Sequence, residues 1–572
     1  MVKWSPKGIT GKWDATTGNS QLNDGAGTWT QSANNFTYDN GSHNSPWAAG
    51  ANLVIGGGAA GDGGTIVMPT SVYINSLLFA QTTSIPYTLS GGTINLMAPT
   101  FTLTSTSTLA SIISSVLSGT AAVTKEGSET VILSGANTYT GLTTVSEGVL
   151  NIQNATGLGT IALGTTVVSG AALQLQGGIT VGAEDLTLSG TGVSTDGALR
   201  NISGTNIYGG LLTLAADSRI NSDSGTLTLS NAGTITGATF GLTVGGIADT
   251  VINSIIGTTS GALTKDGTGK ATLTAANTYT GATTITAGTL NIQNATGLGT
   301  TAAGTTVATG AALQLQGGIT VGAEALSLSG VGTASSGALR NISGTNIYGG
   351  LLTLAADSRI NSASGTITLS NTGIITGATF EVKIGGAGNI VINSIIGTTT
   401  GTFIKDGAGK VTLTGVNTYT GTTIINTGTL EVVTGSLAAG SAVTINTGAT
   451  LAGTGTVNGT VTIANSSTAI LAPGVSGVGT LSTGALVLAG SSSLNMDVGT
   501  SSDRVTVTGN LTLDGTLNVT NSTGLAAATS YTLITYTGTL TDNTLSPGTI
   551  PAPCAAGTIS TATANQVNLV CP

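Results

Sequence analysis

Residues 262–300 read ALTKDGTGKATLTAANTYTGATTITAGTLNIQNATGLGT, and nearly the same run fills 122–160 as AVTKEGSETVILSGANTYTGLTTVSEGVLNIQNATGLGT. A shorter third copy, TFIKDGAGKVTLTGVNTYTGTTIINTGTLEVV, occupies 402–433. Lys125, Lys265 and Lys405 mark a period of 140 residues, and Tyr139, Tyr279 and Tyr419 keep it. The remainder of the unit is duplicated too: GALRNISGTNIYGGLLTLAADSRINS stands at 197–222 and again at 337–362. Two full units and a fragment therefore run from about residue 112 to 433. A repeat this long cannot be one coil of a solenoid, so each unit must contain several.

Within the unit, runs of four to six residues alternate apolar with small polar side chains: ATLTAA, TTITAG, TLNIQN, ALQLQG, LLTLAA, TLTLSN. Gly, Asn or Asp separates them, which is strand and turn punctuation. Alternation sends Leu, Ile and Val to one side of each strand and Thr to the other. Strands so short bury little alone, but stacked coils cover one another's apolar residues. Helix is excluded, because Gly and β-branched residues dominate and no 3.6-residue period appears. An array of β-sandwiches would need larger aromatic cores than 4 Trp and 6 Phe supply, whereas a narrow solenoid interior suits Leu, Val, Ile and Ala. Coils of roughly 20–25 residues stacked at about 4.8 Å predict a rod on the order of 110–140 Å long.

Composition agrees with an all-β chain rich in tight corners. Gly contributes 89 of 572 residues, and charged residues are 6%, against roughly 25% in ordinary soluble domains. No run of about 18 apolar residues is present, so no transmembrane segment is expected. Recurrent Val, Ile and Leu argue against disorder. With 14 Lys and Arg and a net charge of −9, no basic patch of useful size can form, so nucleic acid is excluded as a partner. Cys554 and Cys571 are 17 residues apart near the C-terminus. They read as a disulfide in an oxidising compartment, against the alternative of two free thiols under reduction. The first residues, MVKWSPKGITGKW, contain no apolar stretch of the kind a signal peptide needs.

The pattern LTKDGTGKATLTAANTYTGATTITAGTL, met three times, resembles the passenger-associated transport repeat of autotransporter passengers, also called the autotransporter-associated β-strand repeat. The N-terminal stretches GTWTQSANNFTYDNG, PWAAGANLVIGGGAAGDGGTIVM, SVYINSLLFA and YTLSGGTINL resemble the start of such passengers. GATLAGTGTVNGTVTI, ILAPGVSGVGTLS and SSDRVTVTGNLTLDGTLNV resemble their C-terminal parts. The resemblance implies a right-handed parallel β-helix, secreted or held at the outer surface of a Gram-negative bacterium. It also implies work as an adhesin or surface scaffold. Full autotransporters end in a membrane β-barrel, which the closing residues NQVNLVCP do not resemble. The barrel is therefore expected to have been removed, or attachment to be made by another component.

The fold class expected is all-β, a right-handed parallel β-helix with distinct N- and C-terminal flanking regions. Residues 1–111, which hold Trp4, Trp13, Trp29 and Trp47, form the start and cap; 112–433 form the repeated solenoid; 434–572 form a C-terminal solenoid and disulfide-bearing cap. Capping is needed because open strand edges template aggregation. No catalytic residue, metal ligand or cofactor is expected. Asp217 with Arg219, and Asp357 with Arg359, read as surface ion pairs at a turn, since an identically duplicated catalytic site would be unusual. His43 stands alone in NGSHNSPW, without the nucleophile or acid that base catalysis requires. Asp62 in GGGAAGDGGT is a single irregular copy, too little for a calcium-binding nonapeptide array. Thr226 with Thr228, and Thr366 with Thr368, invite an ice-binding alternative, although Thr also simply suits an outward strand face. The function expected is a non-enzymatic extracellular scaffold or adhesin, whose partners are glycans or proteins of host or other surfaces. The alternatives are an end-to-end filament subunit, a carbohydrate-active β-helix enzyme and an ice-binding protein.

Overall fold

The computed structural model describes residues 9–13, 26–29, 35–37, 44–45, 47–56, 63–80, 85–475 and 477–572. Among them no α-helix occurs, and short parallel strands stack into a β-solenoid of about 20 turns. Two compact units can be distinguished, Met1–Thr283 and Thr284–Pro572.

In the first unit the strands stand in three columns. One column runs Thr100–Ser105, Ala122–Glu126, Thr143–Val145, Thr165–Val167, Leu186–Gly190 and the beginning of Leu212–Ser222, every neighbour parallel. It continues through the bridge Thr213–Thr236 to Thr234–Ile235 and Ile255–Ile256. A second column runs Thr130–Leu133, Val149–Ile152, Ala172–Gln176, Leu199–Ser203, the end of Leu212–Ser222, Leu242–Gly246 and Leu263–Lys265. A third holds Thr180–Val181, Thr205–Tyr208, Thr226–Leu229, Asp249–Ile252 and Lys270–Leu273.

Alternation within each strand places like residues above like. Val131, Leu150, Leu173, Leu199, Ile220 and Val244 form one continuous inward stack, all buried. Each such side chain stabilises by roughly 1.5–3 kcal/mol relative to exposure, so a coil is held mainly by the coil beneath it. The interior is not purely aliphatic, however. Tyr139, Tyr208, Tyr279, Tyr348 and Tyr419 are fully buried, which the expectation of a Leu, Val, Ile and Ala interior did not include.

The repeat and the coil do not keep step. Strands of the first column begin at Ala122, Thr143, Thr165, Leu186, Leu212, Thr234 and Ile255, so coils take 21 to 26 residues. Six coils thus lead to Ile255, and the sequence copy of Ala122–Glu126 begins eight residues later, as Leu263–Lys265. It lies in the second column, on Leu242–Gly246, rather than in the first. A 140-residue unit is therefore six coils plus one face.

In the second unit, an eleven-strand parallel column runs from Thr320–Val321 to Ser546–Pro547. Both terminal regions depart from this pattern. Near the N-terminus, Thr10–Trp13 pairs antiparallel with Phe36–Thr37, which pairs antiparallel with Asn44–Ser45. Trp13, Trp29, Phe36 and Trp47 pack there with ring centroids 4.9 to 6.4 Å apart; Trp4 lies outside the described residues. Near the C-terminus, Gln566–Val570 pairs antiparallel with Ser530–Tyr536 and Thr558–Ser560.

Candidate functional site

The residues that mark the repeat are internal fasteners. Lys125 is fully buried, and its ammonium donates to three backbone carbonyls: Glu126 at 2.9 Å, Gly127 at 2.8 Å and Glu147, one coil on, at 3.1 Å. Lys405 does the same with Asp406 at 3.0 Å, Gly407 at 2.7 Å and Thr427 at 2.8 Å. Lys265 donates to the carbonyls of Asp266 and Gly267. The strand ends at Glu126, one residue past the lysine, where Gly127 takes a positive φ of 77° and the chain turns its carbonyls back towards the ammonium. Any Cβ there would also collide with the Ser105 carbonyl. Burial pushes Lys125 down to about 8, with Glu147, Glu129 and Glu126 drawing it back up, so it remains a cation at neutral pH.

Asn137 joins three coils: Oδ1 accepts the Leu117 amide at 2.9 Å and Nδ2 donates to the Gly157 carbonyl at 2.7 Å. The buried Tyr139 hydroxyl lies 2.7 Å from Thr143 Oγ1, a contact repeated at Tyr279–Thr283 and Tyr419–Thr423. The conspicuous Lys125 and Asn137 of the repeat thus join successive coils, while the Tyr139 hydroxyl is bonded four residues along its own segment.

The charged pairs expected from the sequence are arranged differently. Arg219 does not pair with Asp217; it grips Asp266, 47 residues on, through two bonds of 2.6 and 2.9 Å. Arg359 grips Asp406 with the same two distances. Asp217 Oδ1 instead accepts the Gly241 amide at 2.8 Å, and Asp357 Oδ1 the Glu381 amide at 2.8 Å. The cause is geometric: Asp217 lies where Leu212–Ser222 passes from the first column to the second, while the bidentate carboxylate reaches Arg219 from a later coil.

Buried acids line two grooves. Glu184 faces a cavity of about 590 Å³ with Asn137, Thr156, Leu158, Ile161 and Val181. Burial raises it to about 7, the Thr165 hydroxyl at 2.8 Å opposes, and Asp185 adds to the rise. Glu324 repeats the arrangement with Thr305 at 2.9 Å and is raised by burial. Asp503 lines a cavity of about 340 Å³ with Glu431, Asn495, Asp497 and Thr520. Burial raises it to about 6 although it accepts the Gly479 and Asp497 amides, each at 2.7 Å.

Thr226 and Thr228 face outward, but Thr228 stacks between Ile207 and Val251, so no threonine rank forms there. A rank does exist on the first column, from Thr102 through Thr124, Thr144, Thr166, Thr187 and Thr213 to Thr236. It is one residue wide, since Glu126 follows Thr104 in the adjoining position. Reading it from the sequence would have needed the coil lengths. His43 and Asp62 lie outside the described residues.

Cys554 and Cys571 form a disulfide that ties the loop before Thr558–Ser560 to the residue after Gln566–Val570. Replacing both with Ser is expected to weaken the terminal antiparallel strands by roughly 3 kcal/mol in the chain-entropy model. Limited proteolysis of residues 530–572 measures it; unchanged resistance would show that the pairing of strands alone holds this end.

Comparison with known proteins bears on what this fold carries. The profile described as Passenger-associated-transport-repeat matches residues 123–152, 263–292 and 403–432. These segments include the lysine and asparagine that join successive coils, Lys125 and Asn137 in the first and Lys405 and Asn417 in the third. The chain is also 47% identical over 109 residues to the Adhesin BmaC autotransporter of Brucella suis biovar 1 (strain 1330). That stretch is 18% of this chain and 3% of the relative, so the chain spans a small part of that protein. Three transport repeats on a parallel β-solenoid, with this likeness to an autotransporter adhesin, support an autotransporter-passenger repeat protein.

Proposed function

We propose that the chain acts as a non-enzymatic adhesive scaffold displayed at the outer surface of a Gram-negative bacterium. The observation that carries this is the likeness to an autotransporter adhesin over 109 residues, together with three matches to the transport repeat. The disposition of polar groups supports it. Repeated ionisable side chains such as Lys125 and Arg219 are engaged in joining coils, while neutral hydroxyls and amides stand on the outward faces. Such a surface offers many weak hydrogen-bonding positions at a regular coil spacing of about 4.8 Å, suited to multivalent contact with glycans or proteins. In this reading 1–111 start and close the stack, 112–433 form its repeated body, and 434–572 finish it.

Displaying the chain on a non-adherent Gram-negative host is expected to raise attachment to cultured cells or immobilised glycans several-fold. Attachment no greater than that of the undisplayed host, together with release of sugars from a polysaccharide panel, would replace this reading with the enzymatic one.

A further inference from the structure

The two copies of GALRNISGTNIYGGLLTLAADSRINS carry one arginine in two different settings. In the first copy, Arg200 Nε donates to Asp223 Oδ2 at 2.7 Å and Nη1 to Asp196 Oδ2 at 3.0 Å. Asp223 Oδ1 accepts from Asn221, whose own oxygen accepts from Arg219. In the second copy the positions of Asp196 and Asp223 hold Ser336 and Ala363.

The frame around the arginine is unchanged. The register Gln174–Arg200–Asn221 across successive coils is repeated as Gln314–Arg340–Asn361. The partners differ. Arg340 Nη1 reaches the Ser336 hydroxyl at 3.3 Å, and its Nε is buried without an acceptor. Asn361 Oδ1 is also buried without a partner. Among the described residues no carboxylate pairs with Arg340, whereas Arg219 and Arg359 each hold one. The exchange belongs to a wider change of charge. Residues 122–261 carry three cationic and nine acidic side chains, and 262–401 carry five and four.

A half-buried guanidinium is stabilised by a carboxylate that meets its fork, and the first repeat shows that this backbone frame accepts one. The groups beside Arg340 are neutral hydrogen-bonding amides. Asn291 donates to Gln314 and Gln316, each at 3.3 Å, in the coils on the far side of the arginine from Asn361. One cation in a row of amides and hydroxyls matches a sugar that bears one carboxylate among its hydroxyls.

We propose that Arg340, with Ser336, Gln314 and Asn361, forms a binding site for the carboxylate of an acidic, uronate-type saccharide. The proposal gives a ligand chemistry to the adhesive reading and rests on it for where such a saccharide would be met. Binding in solution tests the site separately from attachment of cells.

Calorimetric titration of the full chain at low ionic strength with an oligoglucuronate, a neutral oligoglucose and polyglutamate would test it. Wild type should bind the oligoglucuronate and not the neutral oligomer. Arg340→Gln should weaken binding at least about tenfold, as should the double change Ser336→Asp with Ala363→Asp, which installs the first repeat's carboxylates. The double variant is expected to melt no lower than wild type, so its loss of binding cannot be ascribed to unfolding. Arg200→Gln should leave binding unchanged. No binding by wild type, or wild-type affinity in both Arg340→Gln and the double variant, would overturn the site. Binding of polyglutamate with the same dependence on Arg340, without uronate binding, would overturn the saccharide assignment.

Discussion

Replacing Lys405 with Met should lower the local unfolding free energy of the coils at 403–432 by about 3 kcal/mol or more. The side chain is fully buried, and its three donors satisfy the carbonyls of Asp406, Gly407 and Thr427. Methionine fills much of the volume of the stem but donates nothing. Each buried acceptor left unpaired costs roughly 1–3 kcal/mol, more than the modest gain from no longer burying a charge that was already well bonded. The Thr427 carbonyl lies one coil beyond the other two, so the loss falls on the contact between coils, where solenoid stability resides. Lys270 supplies the control: its side chain and that of Asp249, which it meets at 3.4 Å, are both well exposed, so Lys270→Met should change little. Amide hydrogen exchange across 403–432 in Lys405→Met, and across 263–292 in Lys270→Met, reads the difference. Equal protection in Lys405→Met and wild type would mean that the ammonium is not a fastener.

A second large effect concerns pH. Burial raises Glu184 to about 7 and Asp503 to about 6, and raises Glu324 as well. A carboxyl whose folded pKa lies above its unfolded value keeps a proton that the unfolded chain has lost. For Glu184 this holds between its ordinary value of 4.5 and about 7. The stability it confers is therefore present in full below that window and declines as pH rises through it. At about 1.4 kcal/mol per unit, Glu184 alone accounts for on the order of 2–3 kcal/mol between pH 5 and pH 8. The protein should thus resist denaturant better at pH 5 than at pH 8. Glu184→Gln keeps an acceptor for the Thr165 hydroxyl and cannot ionise, so it should flatten the dependence in the coils around residues 165–184. Because a repeat stack need not unfold in one step, hydrogen exchange at both pH values is the suitable readout. Stability that rises with pH over this range, or a slope unchanged in Glu184→Gln, would contradict it.

The sequence by itself determined the kind of fold. Alternation in runs such as TLNIQN and ALQLQG sets which side chains face inward, because side chains in a strand point to opposite sides in turn. The 140-residue recurrence of Lys and Tyr showed the repeat, the motif around them carried the resemblance to the transport repeat, and the paucity of charged clusters pointed away from catalysis. Even so, Lys125 served there only as a marker of the period, since a lysine beside turn glycines ordinarily faces water.

The tertiary structure decided everything that depends on which coil lies on which. Six coils plus one face make a repeat, so Leu263–Lys265 stacks in a different column from its copy at Ala122–Glu126. Arg219 meets Asp266 rather than Asp217, and the threonine rank runs from Thr102 to Thr236 rather than through Thr228. Partners in a solenoid are set by the number of residues in the intervening corners, and the coil containing the insertion at Val193–Thr195 is longer than its neighbours. Local alternation specifies the direction of a side chain. The accumulated length of the coils specifies what it touches.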